Sequence, residues 1–470
     1  MTGDIAPFRT LMESDGQSEA AIRAFESAYA QLTSGQATMI PENGIIPASK
    51  LPELDGLKAS SQLTEEDGGA LLDATVVIKL NGGLGTGMGL EKAKSLLPVR
   101  FGSTFLDLIA RQILHLRETH AKPLHFLLMS SFATRDDTAV ALSPYADLGD
   151  TESLQFIQSR IPKIDAATLA PAICERQPDL GWCPPGHGDL YPSLFGSGHL
   201  DQLLEAGVRY AFVSNSDNLG ATLDLDLLHY FAESDKSFVM EVTRRTAADR
   251  KGGHLATDKE TGHFLLRESA QCADEDMDAF QDIDRHRFFN TNNLWLRLDL
   301  IKETLDSHGG LFPLPIIKNV KHLNPRDKAT PEVVQLEVAM GAAISTLANT
   351  GAIEVNRSRF APVKTTEDLF ALRSDAYVVT DDYRLELHAD RQGVPPNIFL
   401  DGAHYKLVDQ LDRCLPDEVP SLLGCDLLEI NGPVEFASGV ILRGQVKFEN
   451  ANADRATIAP GTYEDTTVIL

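Results

Sequence analysis

Residues 76–95 read VVIKLNGGLGTGMGLEKAKS, an apolar run that breaks into glycines at 82, 83, 85, 87 and 89 and then offers Lys92 and Lys94. Glycine lets the backbone turn sharply and lets its N–H groups converge on an anion, while a lysine brings the positive charge that amides lack. A plain turn rarely needs five glycines between positions 82 and 89, so the pattern points to phosphate chemistry. Two familiar loops fail to fit. A dinucleotide fingerprint, G-x-G-x-x-G, would need glycine where Met88 or Leu90 stands, and a Walker loop would need glycine at Ala93 before Lys94-Ser95.

Four further stretches could carry chemistry. PPGHGDLY (184–191) sets Gly186 and His187 where backbone can lie against a flat ligand and an imidazole can donate a hydrogen bond. FVSNSDNLG (212–220) ends an apolar strand in Asn215, Asp217 and Asn218, and in open α/β sheets ligands gather at the carboxyl ends of strands. NTNNLW (290–295) sets three amides in a strand otherwise built of Phe, Leu and Trp; buried amides need partners, and sugar hydroxyls are good ones. PVKTTEDL (362–369) presents Lys364 in a polar turn.

The elements that would position these residues follow from periodicity. SEAAIRAFESAYAQLT (18–33) has helical spacing at Ala21, Ile22, Phe25, Tyr29 and Leu32, and residues 104–118 predict a second helix with Thr104 as its N-cap. Apolar runs at 76–80, 124–129 and 211–214 read as strands covered on both faces, with further strands at 237–242 and 288–298. The alternation predicts an α/β domain with a mostly parallel sheet. IPENGIIPASKLPELDGL, from Ile40, reads as an extended connector. Toward the C-terminus Leu428, Val434, Val440 and Val446 fall six apart, and Ile430, Phe436, Leu442 and Phe448 repeat that step two residues later. This period predicts a small β-helix, whose open ends commonly serve as an interface with another copy. The expected division is an N-terminal helical arm (1–70), a catalytic domain (71–385) and a C-terminal domain (386–470).

Bulk properties narrow the classes. The chain has 470 residues, 43% hydrophobic, and a formal charge of −26. That acidity argues against nucleic acid or an anionic membrane surface as partner, but leaves room for an anionic small molecule in a locally basic cleft. The five cysteines are scattered with no C-x-x-C, and no membrane span or signal peptide is visible, so a cytoplasmic protein is expected.

In order along the chain, KLNGGLGTGMG with KS, FIQSRIPKI, PPGHGDLYPSL, FVSNSDNLGATLD, KGG, FFNTNNLW and SRFAPVKTTEDL resemble the UTP–glucose-1-phosphate uridylyltransferase family. The resemblance implies a Rossmann-like nucleotide-diphospho-sugar transferase core with a C-terminal left-handed β-helix. It implies synthesis of UDP-glucose and pyrophosphate from UTP and glucose 1-phosphate, with Mg²⁺ as cofactor and galactose 1-phosphate as a further acceptor to be considered. Carried over residue by residue, Lys94 and Lys364 are catalytic. Leu80, Asn81, Gly82, Gly83, Lys94, Gln158, Gly186, Asp217 and Lys364 bind UTP. His187, Asn215, Glu241 and Asn292 contact the sugar phosphate, and Asp217 holds the metal. Many relatives carry Gly-Pro before the loop lysine where this chain has Lys92-Ala93, which raises the question of whether Lys92 shares the role of Lys94. Relatives acting on N-acetylhexosamines usually have Arg in the loop where this chain has Gly87, which ranks that substrate class lower.

Overall fold

The computed structural model describes residues 4–35, 38–100, 102–246, 249–415 and 418–470. Its centre is a mixed sheet that begins with the strand preceding the glycine loop, Thr75–Asn81. That strand runs parallel to Tyr210–Asn215 on one side and to His125–Ser130 on the other, and Gln155–Ile157 continues the parallel set. Beyond Tyr210–Asn215 lies one reversed strand, Phe288–Arg297, and then Phe238–Arg244 and Thr350–Glu354 return to the common direction. The carboxyl ends of Thr75–Asn81, His125–Ser130 and Tyr210–Asn215 therefore open on the same edge, where the loops at 82–94, 131–134 and 216–224 emerge.

These strands are apolar along most of their length because both faces are covered. Val76 and Ile78 pack with Val213 and Leu294 on one side, while Val77 packs with Phe126, Phe212 and Trp295 on the other. Ser18 caps the helix Glu19–Thr33 by accepting from the Ala21 N–H. Thr104 is the N-cap of Phe105–His120, as the sequence predicts, and Asp107 adds a capping box to it. The stretch read as a connector does more than connect. Ile45–Pro47 pairs antiparallel with His254–Asp258 as an edge strand of the main sheet, and Leu54–Ser60 is helical. Its prolines limit it to an edge, where no second ladder of hydrogen bonds is required.

At the C-terminus, four strands lie parallel in the order Asn397–Leu400, Ser421–Asn431, Val440–Glu449 and Gly461–Ile469, and a separate parallel ladder joins Val434–Phe436 to Ala456–Ile458. Both six-step columns point inward: Leu428, Val434, Val440, Val446, Ile430, Phe436, Leu442 and Phe448 are all buried. Leu428 stands beside Val446 and Ile430 beside Phe448, so this part of the chain passes the same place every three six-residue steps.

Candidate active site

The loop after Thr75–Asn81 is closed by a single backbone bond, from the Lys94 N–H to the Gly83 carbonyl at 3.0 Å. Two of its glycines are required by conformation: Gly85 and Gly89 have φ of +64° and +77° and flank the 3₁₀ turn Thr86–Met88. Gly82 is required by proximity, since a Cβ there would stand 2.7 Å from Gln158 Oε1. A Cβ on Gly83 would meet nothing within 4 Å, and this residue forms part of the cavity wall.

That cavity, of about 670 Å³, lies at the carboxyl edge of the sheet. Its volume suits a nucleotide-sized ligand. Leu80, Gly82, Gly83, Lys94, Gln158, Gly186, His187, Asn215 and Asp217 all line it. Sequence-distant residues thus converge because the parallel strands Thr75–Asn81, Tyr210–Asn215 and Gln155–Ile157 end on one edge and the segment after Trp182–Cys183 joins the same wall. Lys94 Nζ lies 2.6 Å from Asp217 Oδ2, and both side chains are mostly buried. An ammonium group and a carboxylate side by side on one wall can divide a ligand's needs: the first takes phosphate oxygens, the second a cation. Lys92 points elsewhere; it is largely exposed and sits 3.6 Å from Asp137.

Gln158 Nε2 donates to the Gly186 carbonyl at 3.0 Å, which leaves Oε1 on the Gly82 side as an acceptor. Gly186 has φ of +82°, and a Cβ there would come within 2.6 Å of the Val338 carbonyl, so only glycine fits. His187 Nδ1 accepts from the Met340 N–H at 3.0 Å. That bond fixes the tautomer with the proton on Nε2, and burial pushes the imidazole down to about 4. His187 is therefore a neutral donor.

Four expected site residues stand off the cavity wall among the described residues. Asn81 turns its amide away from the cavity, where Nδ2 donates to Thr138 Oγ1 at 2.8 Å. Glu241 is fully buried: Oε1 accepts from Trp295 Nε1 and Arg359 Nη2, and Oε2 from Asn293 Nδ2 and Arg359 Nε. Each oxygen thus already accepts twice, and the carboxylate stands off the cavity wall where a sugar hydroxyl was expected to meet it. Asn292 has φ of +59° in a bulge opposite Glu241 and Val242, and its side-chain Oδ1 accepts from Asn290 Nδ2. Lys364 is exposed on a turn hooked to the site by the Val363 N–H, which donates to the Asp217 carbonyl at 3.2 Å, and by the Ala361 N–H, which donates to Asn218 Oδ1 at 3.0 Å.

The wall also contains residues that the sequence did not single out, among them Phe132, Arg160, Trp182 and Glu337. Arg160 lies within the quoted IQSRIP run, and Phe132 directly follows the polar end of a strand. Trp182 and Glu337 come from the short strand Trp182–Cys183 and from Glu332–Val338, and nothing in their local sequence marks them. Among the described residues no group of three His, Cys, Asp or Glu is placed to hold a metal. Asp217 alone fits a cation whose remaining ligands are phosphate oxygens and water, the usual habit of Mg²⁺.

An α/β core whose parallel strands deliver a glycine loop, a lysine and an aspartate to one cavity defines a nucleotidyltransferase-type site. The family model described as "UTP--glucose-1-phosphate uridylyltransferase" matches residues 22–443, and the chain belongs to that family. The Hordeum vulgare UTP--glucose-1-phosphate uridylyltransferase is 42% identical over 378 residues, covering 80% of this chain and 77% of the barley protein. That of Musa acuminata is 36% identical over 455 residues, covering 95% and 93%. Among solved structures, the Leishmania major UDP-glucose pyrophosphorylase, described in open and closed forms, superposes with a TM-score of 0.93 at 45% identity and full coverage of both chains. The Trypanosoma brucei structure superposes with a TM-score of 0.90, also at 45% identity and full coverage. The chain is thus an enzyme of the nucleotidyltransferase class. Among the described residues no helix is long and apolar enough to cross a membrane.

Proposed function

We propose that the enzyme joins UTP and glucose 1-phosphate to give UDP-glucose and pyrophosphate, reversibly, in the cavity walled by Lys94 and Asp217. The observation that carries this reading is the 2.6 Å Lys94–Asp217 pair, which shares the wall of one nucleotide-sized cavity with Gly82 and Gly83. The names of the relatives support the substrates.

A phosphate oxygen of the sugar attacks the α-phosphorus in line, and pyrophosphate leaves opposite. The attacking monoester is already charged, so no strong general base is needed and the protein's task is to position and neutralise anions. Gly82 and Gly83 bring backbone amides to the triphosphate, and Lys94 exchanges part of its bond to Asp217 for a phosphate oxygen. Asp217 would hold Mg²⁺, which supplies charge neutralisation when bound. Gln158 and the Gly186 backbone read the uracil edge, with Gln158 Oε1 accepting from the ring N–H. His187 donates its Nε2–H to the sugar phosphate beside Asn215. Lys364 and Asn292 act from beyond the cavity wall: the turn of Lys364 is tied to Asp217, and its ammonium, which lies over the Phe289 ring, swings to meet a bound phosphate.

The C-terminal parallel ladders support a left-handed β-helix that could pair with a second copy at its open edge. Among the described residues all five cysteines are free, which suits a reducing cytoplasm. Galactose 1-phosphate differs by one inverted hydroxyl and is the alternative acceptor to test. The experiment is to incubate the enzyme with UTP, Mg²⁺ and each of a panel of hexose 1-phosphates and to measure pyrophosphate. Release with glucose 1-phosphate is expected, and its absence with every sugar would overturn the reading.

A further inference from the structure

Arg160 stands on the wall of the nucleotide cavity with its guanidinium carbon 4.7 Å from the centroid of the Phe132 ring and 4.9 Å from that of Trp182. The two rings come from different elements, Phe132 from the end of His125–Ser130 and Trp182 from the short strand Trp182–Cys183. Phe132 is 53% exposed, an unusual state for a large apolar ring, and it faces the cavity. A flat cation between two rings holds both in place by cation–π attraction, and the exposed ring offers a platform on which a planar base or ribose can lie.

What fixes Arg160 lies outside the catalytic core. Asp15, just past the helix Ala6–Ser14, takes the guanidinium with both oxygens: Nε donates to Oδ2 at 2.8 Å and Nη2 to Oδ1. Gln17 completes the clasp, its amide donating to Asp15 Oδ2 at 2.8 Å and its carbonyl accepting from the Arg160 N–H at 3.3 Å. On the other side Asp179, itself exposed, accepts from Nη1 at 3.3 Å. A forked arginine–carboxylate pair specifies direction as well as charge, which a lysine in the same place could not do. Apart from this clasp, Phe8, Phe25 and Tyr29 seat the N-terminal helices in a buried apolar cluster shared with Ile161, Ile164 and Leu336.

We propose that Arg160 is a positioning residue for nucleotide binding: it holds the Phe132–Trp182 wall of the cavity, and the N-terminal segment sets its orientation through Asp15. This rests on the reading that the cavity receives a uridine nucleotide. It gives the N-terminal helices a role in the site that no residue of the glycine loop reveals, since the clasp joins positions 15 and 160.

The test uses the full chain with Asp15→Asn, which keeps shape and removes charge, and Arg160→Lys, which keeps charge and removes the fork. Each is expected to raise KM for UTP roughly tenfold while kcat and KM for glucose 1-phosphate stay within about twofold, the pattern of lost ground-state binding. The double variant should be no worse than the poorer single one, because the two residues act as one unit. A second readout is direct. The chain has two tryptophans, and Trp295 is fully buried, so acrylamide quenching reports on Trp182. UTP should protect Trp182 in the wild type and protect it less in either variant. Unchanged KM for UTP and unchanged protection in the variants, with a wild type that releases pyrophosphate normally, overturn this inference alone. Equal losses in KM for both substrates would also overturn it, as the sign of a general structural defect. A wild type that neither turns over nor shows UTP protection overturns the inference together with the functional reading.

Discussion

Two polar regions lie close together in this enzyme and behave oppositely. At the cavity, Lys94 and Asp217 form one short ion pair on an open wall, His187 keeps its Nε2–H free of the Met340 bond, and Gln158 keeps an acceptor toward Gly82. In the interior, Glu241 and Arg359 form a closed network. Asn293 and Trp295 donate to the carboxylate, and the Arg359 guanidinium and carbonyl bind Thr222 and Asn218. Lys79 adds a second interior clamp by donating to Ser214 Oγ at 2.7 Å and the Ala221 carbonyl at 2.6 Å; burial, then the charge of Arg359, lowers it to about 7. Ser214 and Ala221 bracket the turn that carries Asp217, so the closed region holds the open one in place. The difference teaches that spare hydrogen-bonding capacity, rather than polarity, separates a ligand-facing residue from a structural one.

The contrast can be broken most severely from the inside. Glu241→Ala strands the buried Arg359 charge, and the expected loss is about 3–5 kcal/mol of stability, the usual scale for removing one partner of a buried pair. Denaturant unfolding would read it, and a loss confined to sugar-phosphate KM with stability intact would return Glu241 to the site. On the open side, Lys94→Ala should lower kcat by about 10²-fold or more with little change in stability, the scale of losing one preorganised donor. Lys92→Ala serves as its control and should leave kcat unchanged; single-turnover rates showing the reverse ranking would remove Lys94 from the chemistry. The mildest test concerns acid. Burial, then the charges of His286 and Arg245, pushes His254 down to about 2. Below about 6.5 the unfolded chain binds a proton there that the folded chain refuses, so stability falls as pH drops through that window, by up to about 1.4 kcal/mol per pH unit for one group. Substituting His254→Phe should flatten the decline between pH 6.5 and 5 in unfolding experiments and leave turnover alone. An unchanged slope would remove His254 from the acid response.

Most of the framework was legible from pattern. The strands near 76, 125 and 211 announce themselves because burial on both faces demands apolar residues at most positions. The caps at Ser18 and Thr104 are local chemistry, and the six-step columns at the C-terminus repeat closely enough to place eight inward side chains. Lys94 and Asp217 were readable for the same reason, since a glycine loop and a polar strand end are short-range signals. Their meeting at 2.6 Å follows once the two strands are parallel neighbours. Ile45–Pro47 was not readable as an edge strand, because pairing with His254–Asp258 spans some two hundred residues of sequence.

By itself, then, the sequence determined the phosphate-type loop, the α/β alternation and the family. Each is written in neighbouring residues whose spacing has few other uses. Only the tertiary structure decided which polar side chains stay open to a ligand. Glu241 and Asp217 are both acids on or just beyond strands, and what separates them is the partners that folding brings from far along the chain. The same holds for Arg160, whose orientation depends on Asp15: hydrogen-bonding capacity is spent in space, and no local run of residues records where.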